Sequence, residues 1–567
     1  SPSCRIAWNK AMIPARPLAN LPTHDVENMP PYIGDQDLWS NDQALHEGIE
    51  REGAGWAQER VSEFGRDTGS AETFRKADLA NRYPPEMRAF DRYGMRIDQV
   101  DYHPAYHELM ALAIENDVPS FAWKNPQAGG QVAHAALTYL FTQAEGGVLC
   151  PMAMTYAAIP TLRMTPAIGD EWIPRLLVDN YDPRDISVQQ KTGATMGMFM
   201  TEKQGGSDVR ANSTRAIPVG VQTGEAAEYR LTGHKYFCSA PMCDAFLTLA
   251  YTDHGLSCFL VPRWRPDGER NALFMQQLKD KLGNRSNASL EMEYQDTWGL
   301  MVGEEGRGIS TIIEMVRGTR FYCCASSAGL MRQGLVQAMH HTAYRAAFNK
   351  KLIDQPLMRN VLADLALESE AALALTLRLG RAIDESVENE QAAAFARIVT
   401  AVGKYWVCKR TPAHCVEALE CLGGPGYIED SIMPRLYREA PLNSIWEGSG
   451  NIMCLDVLRA MFRETAAIPA ILTELESVRG ANSLLDTAID RLVTELGDPE
   501  DLETRARQLT ELIALTLQAT ILVQHAPSPV SDAFCATRLG PHWLGSYGTL
   551  PAGTDFNLIL ERALPIG

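Results

Sequence analysis

The sequence predicts an α+β chain in which a helical segment, a β segment, a long helical bundle and a helical extension follow one another. Three observations carry this. Hydrophobic periodicity is helical from about Asp42 to Asp185. Near Met196 it changes to the short alternating runs of half-buried strands. At Gly308 it returns to helical spacing, with Ile309, Ile312, Ile313 and Val316 at i, i+3, i+4 and i+7 on one core-facing stripe.

The elements follow in order. Residues 1–41 contain Pro14, Pro17, Pro22, Pro30 and Pro31 and read as an extended N-terminal arm. Residues 42–195 form an N-terminal α-helical domain; Gln131 to Gln143 is Ala-rich and amphipathic, and the apolar stretch Gly147 to Leu162 continues it. Residues 196–303 form a middle β domain. Leu290, Met292 and Tyr294 alternate there with Glu291 and Glu293, and the apolar runs Phe246 to Tyr251 and Leu256 to Val261 flank a turn at Asp253-His254-Gly255. Residues 304–465 form a C-terminal α-helical bundle, Ala/Leu-rich to about Leu422 and broken at Gly423-Gly424-Pro425-Gly426 before a helix from near Asn451. Residues 466–567 form a helical extension. Its amphipathic helices Leu484 to Leu496 and Leu502 to Leu522 flank a Gly497–Pro499 turn, and a loose Gly/Pro-containing tail follows Pro527.

Bulk properties narrow the function classes. With 46% hydrophobic and 22% charged residues the composition is that of a globular protein. A formal net charge of −18 opposes whole-molecule attraction to nucleic acid or anionic membrane. Twelve cysteines lack the paired spacing of a metal or disulfide framework, so no metal is expected and a reducing compartment is. No run of 18 apolar residues spans a membrane, and the first thirty residues lack a signal-peptide core. A cytoplasmic location is expected, with an organelle also compatible.

Five blocks then stand out: REGAGW (Arg51–Trp56), TEKQGGSDV (Thr201–Val209), LKDKLGNRSNAS (Leu278–Ser289), LGGPGY (Leu422–Tyr427) and PRLYREAPLNSIWEGSGNIMCLDVLR (Pro434–Arg459). In this order, around a β segment, they resemble the acyl-CoA dehydrogenase superfamily, and within it the AidB-like branch of alkylation-response flavoproteins. The resemblance implies the acyl-CoA dehydrogenase fold: an α-helical domain, a β-barrel-like domain and a four-helix bundle, here with an extra helical domain. It also implies FAD, a small-molecule acyl substrate, an electron carrier and a homotetramer built as a dimer of dimers.

Residue by residue, hydroxyls and glycines at a strand end let backbone approach a flavin ring closely. The resemblance assigns Met198, Thr201, Gly206 and Ser207 to the flavin. Phe237 and Ser239 in HKYFCSA stand where the family packs a Trp and hydrogen-bonds a Thr against it, and Phe offers less ring surface. Arg345 and Phe348 of RAAFNK, with Gln355, match residues that reach the adenine and pyrophosphate of a partner subunit's flavin. Gly423 and Gly424 fit a helix-ending turn, and in the family that turn lies against the partner's flavin; Glu420 stands where many relatives carry Gln. Ser449 and Asn451 match polar flavin contacts.

Glu447 in SIWEGSGN matches the family's catalytic base. Dehydrogenation beside a thioester needs a base for the α proton and an acceptor for the β hydride, which a carboxylate and FAD supply. A dry pocket, with Ile445 and Trp446 alongside, would lift the carboxyl pKa toward the working pH. Arg320 and Trp446 are assigned to the substrate pocket, and Arg285 is placed to order a loop at its border. The alternative base position of some relatives falls on Thr319, which cannot serve, and the Asp of nitroalkane oxidases is replaced by Glu. Two other readings are a flavoprotein that acts mainly by binding, in DNA protection, and a flavin oxidase or specialised desaturase. The AidB-like branch associates its extension with double-stranded DNA. Here Val457 to Gly567 carries 8 Arg and no Lys against 14 Asp plus Glu, a net of −6, so DNA binding is not carried over.

Overall fold

In the computed structural model, which describes residues 22–564, helical, β and helical parts follow one another as expected. The proline-rich arm lies partly outside the described residues, and residues 22–42 hold no helix or regular strand. Two N-terminal helices begin on capping side chains: Asp42 accepts from the Leu45 amide at 3.1 Å and Ser70 from that of Thr73 at 3.2 Å. The helix Gly130–Ala144 is buried at every position, so it has no solvent face and is not amphipathic in place.

One part of this domain is not helical. Strands β1 (Glu86–Phe90) and β2 (Arg96–Asp101) form an antiparallel hairpin. Its period-2 pattern is carried by charged residues, so apolar periodicity does not reveal it. Asp98, buried on β2, ties the hairpin to the next domain by accepting from the Met275 amide at 2.9 Å and from Arg270 at 3.0 Å.

Seven strands follow: β3 (Met196–Phe199), β4 (Arg215–Pro218), β5 (Glu228–Ser239), β6 (Ala245–Thr252), β7 (Gly255–Pro262), β8 (Leu273–Leu278) and β9 (Ser289–Val302). The pairings β6–β4–β5–β9–β7 return to β6 and close a barrel, with β3 parallel on β6 and β8 antiparallel on β9. Its strand β6 is buried on both faces, as is almost all of β7, which is why both read as continuous apolar runs.

The long helices Gly308–Tyr344, Pro356–Glu385 and Glu390–Leu422 pack with Gly450–Arg463 into the bundle. Beyond it come Ala467–Glu476, Ser483–Gly497 and Leu502–His525, close to the expected bounds. The tail after Pro527 is not loose. Helices Ser528–Arg538 and Phe556–Ala563 dock onto the bundle, because Val530, Phe534 and Arg538 share one buried face. Among the described residues no helix is long and apolar enough to cross a membrane. All eleven described cysteines are buried and unpaired.

Candidate active site

Glu447 lies between the short turn Leu442–Ser444 and the helix Gly450–Arg463, in left-handed backbone (φ 58°), and Gly448 follows at φ 103°. Such a conformation costs a non-glycine residue roughly 1–3 kcal/mol and persists only where the surroundings fix it. Here two cations do so. Arg320 Nε donates to the Glu447 carbonyl at 2.9 Å. Lys404 Nζ, on the bundle helix Glu390–Leu422, donates to the carbonyls of Trp446 at 2.6 Å and of Gly448. Three successive carbonyls are thus clamped. Asp456 anchors Arg320 at 3.2 Å and takes both Arg397 nitrogens at 2.9 Å. A side chain at Gly448 would place Cβ 2.5 Å from the terminal methyl of Met453, which would have to move, and φ 103° favours glycine there.

The clamp aims the carboxylate. Burial pushes the Glu447 carboxyl above its ordinary pKa, against the Thr319 hydrogen bond and the Arg320 and Lys404 charges. Thr319 Oγ1 lies 3.0 Å from Oε2 and 3.0 Å from the Val316 carbonyl, so its one proton, when turned to Oε2, makes the residue at the alternative base position serve the base itself. Trp446 packs against both the barrel core and the bundle core, which puts Glu447 at their seam. Its indole is fixed by donating to Asn443 at 2.9 Å, and Asn443 donates to Ser326 and Ser327. One assignment changes: Ile445 is 63% exposed and lines no dry pocket within this chain. Arg320 directs Nε to the Glu447 carbonyl and Nη1 to Asp456, so it holds the backbone of the base, while its Nη2 makes no hydrogen bond among the described residues.

A second wall lies at the barrel end. Ser239, the last residue of β5, shares a 2.8 Å hydroxyl–hydroxyl hydrogen bond with Ser289 at the start of β9. Met198 is buried on β3, the Thr201 carbonyl accepts from the Tyr236 amide at 2.8 Å, and a Cβ at Gly206 would sit 3.2 Å from Thr201 Cγ2. Ser207 is exposed and Phe237 is half-exposed beside them. Glu202 pins this loop: it accepts from Lys235 at 2.8 Å and from Ser213, Thr214 and Gln204. Burial opposes ionisation, yet Lys235 and these donors hold the Glu202 carboxyl down to about 2. Burial pushes the Cys150 thiol up to about 12. Hydroxyls, a half-open aromatic face and a glycine where a Cβ would crowd Thr201 suit the ring of a flavin.

Most of the other residues assigned to the flavin lie away from these walls. Arg345, Phe348 and Gln355 follow the end of the helix Gly308–Tyr344. Arg345 donates to the Asn28 carbonyl at 2.9 Å, Gln355 to that of Ala347 at 3.1 Å, and Phe348 is 96% exposed. At 1.5 Å per residue, Arg345 is about 37 Å along that helix from Arg320. Glu420, Gly423 and Gly424 are exposed at the end of Glu390–Leu422, where a Cβ on either glycine would meet nothing. Ser449 is exposed beside the base, and Asn451 accepts from Arg507 of the extension at 2.8 Å. Arg285 donates to the Lys281 carbonyl at 3.0 Å, ordering its own loop. Sequence reading missed Lys404 and Arg507; Glu202, Lys281 and Asp456 lay inside blocks it had singled out, without a role being given to them.

Three family models match successive parts of the chain: the adaptive response protein AidB N-terminal domain over residues 28–183, the acyl-CoA dehydrogenase middle domain over 197–297 and the acyl-CoA dehydrogenase C-terminal domain over 306–462. The chain is 44% identical over 519 residues to the putative acyl-CoA dehydrogenase AidB of Escherichia coli (strain K12), covering 91% of this chain and 94% of that one. It belongs to the AidB branch of the acyl-CoA dehydrogenase family. This AidB-branch chain is also 30% identical over 503 residues to acyl-CoA dehydrogenase family member 11 of Caenorhabditis elegans, covering 82% and 80% of the two. The crystal structure of C. elegans ACDH-11 in complex with C11-CoA matches it with a TM-score of 0.81 at 25% identity, covering 95% of this chain and 92% of that one. As a member of this family it is an FAD-dependent oxidoreductase of the acyl-CoA dehydrogenase type, and the barrel-end wall fits that cofactor.

Proposed function

We propose that Glu447 removes the α proton of an acyl thioester as the β hydrogen leaves with its electron pair, so that the Cα–Cβ bond becomes double. FAD, when bound, supplies the hydride acceptor at N5. The observation that carries this is the clamp on the carbonyls of Trp446, Glu447 and Gly448, which fixes a partly buried carboxylate at the seam between barrel and bundle. Thr319 occupies Oε2 and leaves Oε1 to take the proton. Burial makes the carboxylate a stronger base than a solvated one.

Anaerobic mixing with a panel of acyl-CoAs tests this by the bleaching of flavin absorbance. Glu447→Gln should retain FAD and reduce it about 10²- to 10⁴-fold more slowly than the parent. A parent that no acyl-CoA reduces, or a variant as fast as the parent, rejects the reading. Slow reaction of the reduced protein with oxygen is expected of a dehydrogenase that hands electrons to a carrier; fast reoxidation would identify an oxidase.

The flavin site is read as shared between subunits of a homotetramer. Supporting this, Arg345 lies about 37 Å along its helix from the Glu447 clamp, too far for both to serve one flavin from one chain. Phe348, Leu357 and Tyr427 expose 96%, 82% and 81% of their surface near the expected contacts. The extension is read as a packing element and not a DNA-binding one, because Arg479, Arg505, Arg538 and Arg562 are already paired with carboxylates. No gel-shift complex with duplex DNA is expected at physiological salt. The buried free thiols suit a reducing compartment, and the cytoplasm is the location proposed.

A further inference from the structure

Behind Ser239 stands a lysine that the mechanism above does not use. Lys281 lies in the loop between β8 and β9, and its Nζ donates to the Asn287 carbonyl at 2.6 Å and to Ser289 Oγ at 3.0 Å. Ser289 Oγ in turn is 2.8 Å from Ser239 Oγ. Other lysines of this region have carboxylate partners: Lys191 with Asp244 at 2.7 Å, Lys235 with Glu202 at 2.8 Å and Lys279 with Glu291 at 2.9 Å. Among the described residues Lys281 forms no ion pair. A partly buried ammonium without a counter-ion is costly, and one retained beside a reaction centre calls for a role. Burial lowers its pKa to about 8, against the charges of Cys150, Glu439 and Glu145, so at pH 7 it is mostly protonated. A cleft of about 140 Å³, lined by Pro84, Pro85, Lys279, Asp280 and Arg285, gives its far side access to water.

The ammonium also sets a direction. Lysine can only donate, whereas a hydroxyl donates one proton and accepts others. With Lys281 donating to Ser289 Oγ, Ser239 Oγ is the acceptor within reach of the Ser289 proton, and donation that way leaves the Ser239 proton for another acceptor.

We propose that Lys281 is a positioning residue for the flavin: through Ser289 it orients the Ser239 hydroxyl as a donor to the oxidised ring, and its charge favours the reduced state. Hydride transfer adds negative charge to the ring, and a cation two hydroxyls away stabilises that charge. The inference rests on the reading that places the flavin against Ser239.

The test is the two-electron reduction potential of FAD bound to the full-length protein, read with flavin content, absorption spectrum and circular dichroism. Lys281→Met should lower the reduced-to-oxidised ratio at a fixed potential about tenfold, equivalent to about 30 mV. Lys281→Arg should restore most of that ratio, and Ser289→Ala, with the lysine in place, should lower it in the same direction. Lys281→Met with full flavin content and an unchanged potential overturns the proposal. Should that variant fail to fold, Ser289→Ala decides on the same terms. Ser239→Ala separates the two levels. If it moves neither spectrum nor potential, the flavin does not lie at Ser239 and the underlying reading fails. If it moves them while Lys281→Met and Ser289→Ala do not, the lysine link alone is wrong.

Discussion

At Glu447 two requirements oppose each other. A base must be ionised to accept a proton, and burial favours the protonated acid. The Thr319 hydroxyl moderates the conflict by hydrogen-bonding the carboxylate at 3.0 Å, which favours the charged form. Because the Glu447 pKa is raised, base catalysis is complete above that pKa and is lost as pH falls through it. Thr319→Val removes the stabilising hydrogen bond and nothing of comparable charge. The acid limb of the flavin-reduction rate should therefore move to higher pH, with the alkaline plateau within a few-fold of the parent. A pH profile of anaerobic reduction by stopped flow checks this, and an unmoved limb would show that Thr319 has no hold on the base. Glu447 could be read from its motif. The partnership with Thr319 could not, because a contact across 128 residues leaves no mark in one sequence. Lys404 gave less still, a lone lysine within the apolar run AVGKYWVC.

Among the elements, legibility followed burial. Strands β6 and β7 are apolar almost throughout and were plain in the sequence, whereas the β1–β2 hairpin alternates charged residues and was hidden inside a helical reading. The tail helix Ser528–Arg538 was hidden for a related reason: flanking Gly and Pro mark real turns, but one buried face at i, i+4, i+8 spans too little chain to show periodicity. The helix Leu502–His525 was legible, while its reach into the site was not. Arg507 donates to Asn451 at 2.8 Å, four residues beyond the base. This ties a sequence-assigned flavin contact to the extension. Arg507 is exposed, so Arg507→Ala should change stability by less than about 0.5 kcal/mol. It should nevertheless weaken FAD retention several-fold by freeing Asn451. Fluorescence titration of the apoprotein with FAD, beside a thermal melt, separates these effects; unchanged affinity would leave the extension outside the flavin site.

For the whole molecule the question is what holds the extension to the dehydrogenase body. A wholly buried ionic cluster does so. Arg538 from the tail pairs with Asp364 and, at 2.7 Å, with Glu368 of the bundle, and Arg410 reaches Glu368 at 3.1 Å. Arg410 also donates to the Gly545 carbonyl at 3.0 Å, and the Gly548 amide donates to Asp364 at 2.9 Å, so the segment after the helix is caught as well. Removing one member of a buried set strands its partners, typically at a cost of 3–5 kcal/mol. Arg538→Leu should therefore destabilise the protein by about that much at pH 7 and release the tail first. Acid tests the same cluster. Burial opposes ionisation of Glu368, but the charges of Arg410 and Arg538 hold its carboxyl down to about 2, below an unfolded value of about 4.3. Its stabilising contribution is thus complete above about pH 4.3 and is lost as pH falls toward 2. The stability gap between the parent and Arg538→Leu should then narrow over that window, as followed by urea melts at pH 7, 4 and 3. A gap that stays constant down to pH 3 would mean that the tail is held by its apolar face, Val530 and Phe534, and not by the charges beneath it.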